Sequence, residues 1–309
     1  MPALKGQRVL VTGGGGFVGV PTVRRLLAEG ARVRVFDINT DALGDLDCEL
    51  VTGDIADADA VASACSDMAA LVHLAVLPLT AANADVQLAF DANVRGSFNV
   101  FRAAGEHGVR RVVYSSASSA YGLTDAVPIA EHHPLRPSAF YPATKAAGEM
   151  LLRGLAGTYG YDFIILRYMN VYGPGQRAGV VPAIARALIS GQPPTLSGDG
   201  TQAFDFVHID DCARANVLAL SSDASGAALN VGSGEAASLN EVAATMRDLL
   251  GVDIEPEYQG EPSSAPPRLG VVATAREGIA FEATISLREG LETVLDELAE
   301  SSALAPRRG

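Results

Sequence analysis

The stretch from Arg8 to Asp37 leaves this chain little choice of fold. Arg8–Thr12 is a short β-rich run, Gly13 to Gly19 follow as a glycine loop, and Phe17 to Ala28 reads as a helix with Val20, Val23, Leu26 and Leu27 on its apolar side. The spacing Gly13-x-x-Gly16-x-x-Gly19 therefore lies between a strand and a helix. Residues without side chains let backbone N–H groups and the helix N-terminus approach a pyrophosphate closely. A second strand, Arg32 to Phe36, ends in Asp37, where a carboxylate can hold both hydroxyls of an adenosine ribose and would repel a 2′-phosphate. Gly13, Gly16, Phe17, Val18, Gly19 and Asp37 are thus expected to bind a dinucleotide, with NAD favoured over NADP.

The alternation continues. Glu49–Thr52, Ala70–Leu74, Arg111–Ser115 and Phe163–Arg167 read as further strands with helical stretches between them, which predicts an α/β, doubly wound parallel sheet with its active site at the carboxyl ends of the strands. After Asn170-Val171-Tyr172-Gly173-Pro174-Gly175 the pattern changes. A helix near Pro182–Ser190, a turn-rich Gly198–Gly200, a strand at Ala227–Val231 returning to the sheet and a helix at Asn240–Leu250 suggest a smaller α/β cap on the substrate side. The expected division is a cofactor-binding unit over 1–174 with returning segments near 206–232, and a C-terminal substrate-binding cap over 175–205 and 233–309. Gly260–Pro267 reads as a loop and Ala305–Gly309 as a frayed tail.

Charge and cysteine usage narrow the function classes. A net charge of −13 would repel phosphate backbones and anionic lipid, so neither nucleic acid nor membrane is an expected partner. Cys48, Cys65 and Cys212 are widely spaced, without the clustering of a metal site or a disulfide framework, and read as free thiols of a cytoplasmic protein; no metal is expected. The first strand begins within ten residues and runs into the glycine loop, without the apolar stretch of a signal peptide or membrane span.

Only two lysines occur, and Lys145 stands four residues after Tyr141 in Tyr141-Pro142-Ala143-Thr144-Lys145. On a helix these positions share a face, and Pro142 fits the first turn, placing Tyr141 at the helix mouth. The expectation is a proton-handling pair in which the ammonium lowers the phenol toward neutral pH and makes it a general base.

These motifs, taken in order with Gly53-Asp54-Ile55, His73-Leu74-Ala75, Asn93, Tyr121-Gly122 and Arg167-Tyr168-Met169-Asn170-Val171-Tyr172-Gly173-Pro174, resemble those of the extended short-chain dehydrogenase/reductases, the group of NAD-dependent sugar epimerases and dehydratases with a Rossmann sheet. The resemblance implies that Asp54 and Ile55 border the adenine, that Leu74 and Ala75 line the cofactor channel, and that Lys145 also binds the nicotinamide ribose. Asn170 would face the substrate. Asn93 reads either as a cofactor-side residue or as a turn cap, and His73 as a satisfied core histidine. By the same resemblance Tyr141 removes a hydroxyl proton as hydride passes to NAD, while Lys145 and the positive nicotinamide stabilise the phenolate. Relatives form homodimers through two helices per subunit, here expected at Asp85–Gly105 and Pro142–Gly157.

Three departures bear on the reaction and the substrate. Ala117 stands where the family places a hydroxyl residue beside its catalytic tyrosine; Ser118, or else Ser119, is the expected replacement. Ser118, Ser119 and Ala120 offer no carboxylate of the kind dehydratase relatives use for elimination. Phe204 and Glu261 occupy positions where relatives that act on nucleotide-diphosphate sugars carry arginine; Arg177, Arg186 and Arg268 are possible substitutes. The expectation from these departures is an enzyme that transiently oxidises a sugar hydroxyl and then epimerises or dehydrates a nucleoside or other sugar derivative lacking a diphosphate, with Phe204 against its ring. The alternatives are a nucleotide-diphosphate-sugar 4-epimerase, a net sugar dehydrogenase and a non-catalytic NAD-sensing regulator.

Overall fold

The computed structural model describes residues 4–304 apart from 45 and 263, so the expected tail Ala305–Gly309 lies outside the described residues. Its first half alternates β1 (Arg8–Thr12), α1 (Gly19–Ala28), β2 (Arg32–Asp37), β3 (Glu49–Thr52), α2 (Ala58–Cys65) and β4 (Ala70–His73). Then come α3 (Leu79–Ala84), α4 (Val86–Phe90), α5 (Ser97–Glu106), β5 (Arg111–Ala117), α6 (Phe140–Tyr159) and β6 (Asp162–Tyr168). The second half contains β7 (Asn170–Tyr172), α7 (Val180–Ile189), β8 (Thr195–Ser197), β9 (Ala203–His208), α8 (Ile209–Ser221) and β10 (Ala227–Val231). It closes with β11 (Ala236–Ser238), α9 (Leu239–Leu250), β12 (Glu257–Gln259), α10 (Ala273–Ile279) and α11 (Leu287–Leu304).

Seven strands form one sheet in the order β10-β6-β5-β4-β1-β2-β3, and every neighbouring pair is parallel. This is the expected Rossmann-type α/β sheet. Its strands are apolar without interruption because both faces are covered: Val9 and Val11 of β1 join one core while Leu10, between them, joins the other. The first core includes α1 through Val23 and Leu26 and α8 through Val217 and Leu220. The second includes Val61 of α2, Val100 and Phe101 of α5 and Leu152 of α6. The strand order reverses direction between β1 and β4, so a crevice opens beyond their carboxyl ends. β5 runs two residues past the expected Ser115, because Ser116 and Ala117 still pair with Arg167 and Tyr168 of β6.

A three-stranded sheet in the order β11-β9-β7 and a two-stranded pair β12-β8 lie outside the large sheet. They share a third core with α7, α9 and α11, built on Tyr172, Ile184, Phe206, Met246 and Leu291 among others. Within the stretch 206–232, β10 pairs with β6 in the large sheet, whereas Phe206–His208 belong to the small one. No helix among the described residues is long and apolar enough to cross a membrane.

Candidate active site

The glycine loop is drawn tightly against the end of β4. Gly13 has φ +73°, and a Cβ there would lie 2.4 Å from the Ala75 nitrogen; one on Gly19 would lie 2.1 Å from the Gly13 oxygen. Neither contact tolerates a side chain, so both residues must be glycine if the loop is to pass between β4 and the start of α1. The residue preceding α1, Val18, makes no side-chain cap bond to it. The amides at this helix end are therefore disposed for an anion, with the helix dipole behind them. Asp37, at the end of β2, reaches over the same loop: its Oδ2 accepts from Gly15 N at 2.9 Å and its Oδ1 from Asn39 N at 3.1 Å. Fixed in this way, the carboxylate stands where a ribose diol beside a pyrophosphate would meet it, and the residues present fit NAD. Asp54 is exposed next to the buried Ile55, and Leu74 and Ala75 flank the loop at the end of β4.

The Tyr141–Lys145 pair lies where its spacing placed it, in the first turns of α6, with Tyr141 half-buried and Lys145 buried. Lys145 Nζ donates to Ser115 O of β5 at 2.8 Å and lies 6.0 Å from the centre of the Tyr141 ring and 5.2 Å from that of Tyr114. The expected electrostatics are reversed. Burial pushes the Tyr141 phenol up to about 12 instead of down, and lowers Lys145 to about 7, with Glu149 opposing that drop. Burial favours the neutral form of each group, and it is the one cause acting on the Tyr141 phenol.

The residues around the pair sort into hydroxyls and supports. Ser118–Tyr121 form a tight 3-10 turn just after Ala117, at the carboxyl end of β5. Ser118 is buried. The Ser119 hydroxyl is the one on this turn that is buried without a hydrogen-bond partner among the described residues. Beneath the turn lies a network that the sequence did not reveal. Glu149, fully buried, accepts from Arg167 Nη2 at 2.6 Å, Arg167 Nε at 2.9 Å and Ser116 Oγ at 2.6 Å. Arg167 also donates to Tyr121 Oη at 2.9 Å, and Tyr121 in turn donates to Asn230 Oδ1 at 2.7 Å. The only sequence signal for it was Glu149 one helical turn after Lys145.

Asn93 sits in a π-helical turn, Asp91–Gly96, and spends its amide on the backbone of Leu77 and on Thr144 Oγ1, tying the loop after β4 to α6. His73 is a core residue, bonded to Thr12 Oγ1 at 2.6 Å and Ser97 Oγ at 2.9 Å and lowered by burial to about 3. Asn170 and Phe204 are half-buried on neighbouring strands β7 and β9, and Phe204 packs edge-on to Phe206 with ring centres 6.1 Å apart. Glu261, Arg177 and Arg186 are exposed. Arg268 is half-buried and donates to Ser118 O at 2.9 Å and Gly122 O at 3.0 Å, the two carbonyls that flank the serine turn.

The site has the company its geometry suggests. The chain is 34% identical to a UDP-glucose 4-epimerase of Mycolicibacterium smegmatis, over 94% of this chain and 98% of that one. Its structure is similar to that of the UDP-glucose 4-epimerase of Thermotoga maritima solved with UDP-glucose, with a TM-score of 0.89 and 28% identity over 96% of this chain and 100% of that one. It is also similar to the UDP-glucose 4-epimerase of Thermus thermophilus solved with NAD, with a TM-score of 0.86 and 30% identity over 95% and 99% of the two chains. Residues 9–232 match the family model described as the NAD dependent epimerase/dehydratase family. With a glycine loop and acid shaped for a dinucleotide at one end of the crevice and a tyrosine–lysine pair at the other, the chain belongs to the NAD-dependent epimerase/dehydratase family, the extended short-chain dehydrogenase/reductases, and is an enzyme whose cofactor is NAD.

Proposed function

We propose that this protein is a nucleotide-diphosphate-sugar 4-epimerase, with a UDP-linked sugar as substrate. The observation that carries the reading is the Tyr141–Lys145 pair beside a serine turn that holds hydroxyls but no carboxylate, a site equipped to move a hydroxyl proton and not to drive an elimination. Epimerisation fits that equipment better than dehydration. The sequence expectation of a substrate without a diphosphate rested on Phe204 and Glu261. Relatives matched over nearly the whole chain are named UDP-glucose 4-epimerases, and this favours retention of the diphosphate, its contacts made by groups other than those two.

NAD, when bound, supplies the hydride acceptor. Tyr141 takes the proton of the sugar hydroxyl, and Lys145, held by Ser115 O, stabilises the phenolate. Ser119 holds the reacting hydroxyl in line, and Asn170 faces the sugar. In this reading the segments 1–174 and 206–232 serve the cofactor, 175–205 and 233–309 close over the sugar nucleotide, and two copies associate through α4, α5 and α6. The test is incubation with UDP-glucose or UDP-galactose, with the epimers resolved by proton NMR. Interconversion without accumulated NADH is expected, and Tyr141→Phe should reduce it by about 10² to 10⁴. Net NADH formation, a dehydrated product or full activity in Tyr141→Phe would overturn the proposal.

A further inference from the structure

Among the described residues no carboxylate pairs with the charge of Arg268. Its backbone is clipped to β9, donating to Ala203 O at 3.0 Å and accepting from Asp205 N at 2.9 Å, and from there its side chain crosses to the carbonyls of Ser118 and Gly122. Two of its five N–H groups serve those carbonyls, which leaves three. Arg167, on the other side of the same turn, is answered by Glu149, and Arg111 has Asp162 and Asp223 acting on it. Among the described residues nothing comparable acts on Arg268: burial alone bears on its charge, lowering its pKa. Asp205, its neighbour along the strand pairing, spends its oxygens on Ser233 and the Gly234 amide. A half-buried cation without an anion is costly unless a ligand supplies one.

The position of the charge indicates which part of a ligand it meets. The turn that Arg268 brackets follows β5 beside the mouth of α6, and it carries the buried, unpartnered hydroxyl of Ser119. The guanidinium thus lies against this turn, at the reacting end of the crevice. A carboxylate offers two oxygens to the N–H groups of the guanidinium that remain. In a protein of net charge −13 an anionic sugar also needs a local cation to be held at all.

We propose that Arg268 is a specificity-determining residue that receives a carboxylate on the sugar ring being oxidised, so that the preferred substrate is a nucleotide-linked hexuronate and not a neutral hexose. This rests on the nucleotide-sugar reading above. The test compares UDP-glucuronate with UDP-glucose in the unaltered enzyme, in Arg268→Gln and in Arg268→Lys, alongside the affinity for UDP itself. The unaltered enzyme should favour UDP-glucuronate. Arg268→Gln should raise the KM for UDP-glucuronate by about 10- to 100-fold, the range of one charge-assisted hydrogen bond, and change that for UDP-glucose by less than about threefold. Arg268→Lys should recover part of the preference, since it keeps the charge and loses the fork.

Equal losses on both sugars would make Arg268 a mere staple of the serine turn and overturn the assignment. Weakened binding of UDP itself would make it a phosphate ligand, with the same consequence. Turnover of UDP-glucose with none of UDP-glucuronate would refute this inference and leave the epimerase reading standing. Turnover of neither would remove both.

Discussion

Replacing Lys145 by methionine should make the protein more stable and inactive at once. The native structure holds this buried ammonium at about 7 against 10.5 for an ordinary lysine, a difference worth about 5 kcal/mol at about 1.4 kcal/mol per pH unit. Below pH 7 the lysine is charged in both the folded and the unfolded chain, and the whole cost stands. Between about 7 and 10.5 the unfolded chain binds the proton and the native one does not, so stability rises with pH by about 1.4 kcal/mol per unit. Above 10.5 both forms are neutral and the cost is gone. Methionine fills similar space without the charge and gives up the hydrogen bond to Ser115 O, worth about 1 kcal/mol. At pH 6 Lys145→Met should therefore be more stable than the unaltered protein by about 3 to 4 kcal/mol, and by pH 8.5 that advantage should shrink by about 2 kcal/mol. Urea unfolding followed by circular dichroism at pH 6, 7 and 8.5 measures the gap, with the titrating groups that do not interact with Lys145 cancelling in the difference. A gap that does not change with pH, or an unaltered protein that is the more stable at pH 6, would refute the reasoning.

Three further substitutions test other parts of the structure. Asp37→Ala should weaken NAD binding and narrow the preference over NADP, read by calorimetric titration of each cofactor; an unchanged ratio would show that the carboxylate does not discriminate. Glu149→Gln should lower stability by about 3 to 5 kcal/mol, because it strands the buried Arg167 guanidinium. A loss below about 1 kcal/mol in urea would mean that the pair is relieved by rearrangement. Met150→Asp, on the exposed apolar face that α6 shares with Val94 and Phe98, should convert a dimer to a monomer in light scattering. An unaltered protein that is already monomeric contradicts it.

The parts of the molecule that the sequence revealed are those whose cause is local. The glycine loop, Asp37 and the strands of the large sheet could be read because steric limits at Gly13 and Gly19 and continuous apolar runs leave a direct mark on composition. The Tyr141–Lys145 contact was equally legible, since helix geometry alone sets it. The direction of its titration was not. That depends on how deeply β5 and Tyr114 bury the ammonium, which no spacing records. The cap was seen only in outline because β7, β8, β11 and β12 are three residues each, too short to show alternation. Arg167 and Glu149 meet from different elements, eighteen residues apart, and nothing in either neighbourhood announces the other. That the 3-10 turn leaves the Ser119 hydroxyl without a partner depends on the turn's geometry, which the run of serines does not encode.

The route of the chain between its two main sheets bears on how the molecule can be taken apart. It leaves the large sheet after β6 to make β7, comes back from β9 through α8 to lay down β10, and leaves again for β11. β10 is the outermost strand on that side and pairs with β6 along its length. A fragment ending at Gly173 would keep the glycine loop, Tyr141 and Lys145, yet it would present the open edge of β6 and a bare face where α8 had been. Bare edges of this kind recruit other strands, so such a fragment should aggregate and not persist as a working dinucleotide-binding module. Since the chain crosses again from β12 to α10, which packs on the large sheet, and from there to α11 in the cap, five separate passages join the layers and no single peptide can serve as a hinge between them. Unfolding should accordingly be one cooperative event, and any gene fusion or split of this protein will have to respect the full length of the chain through β10.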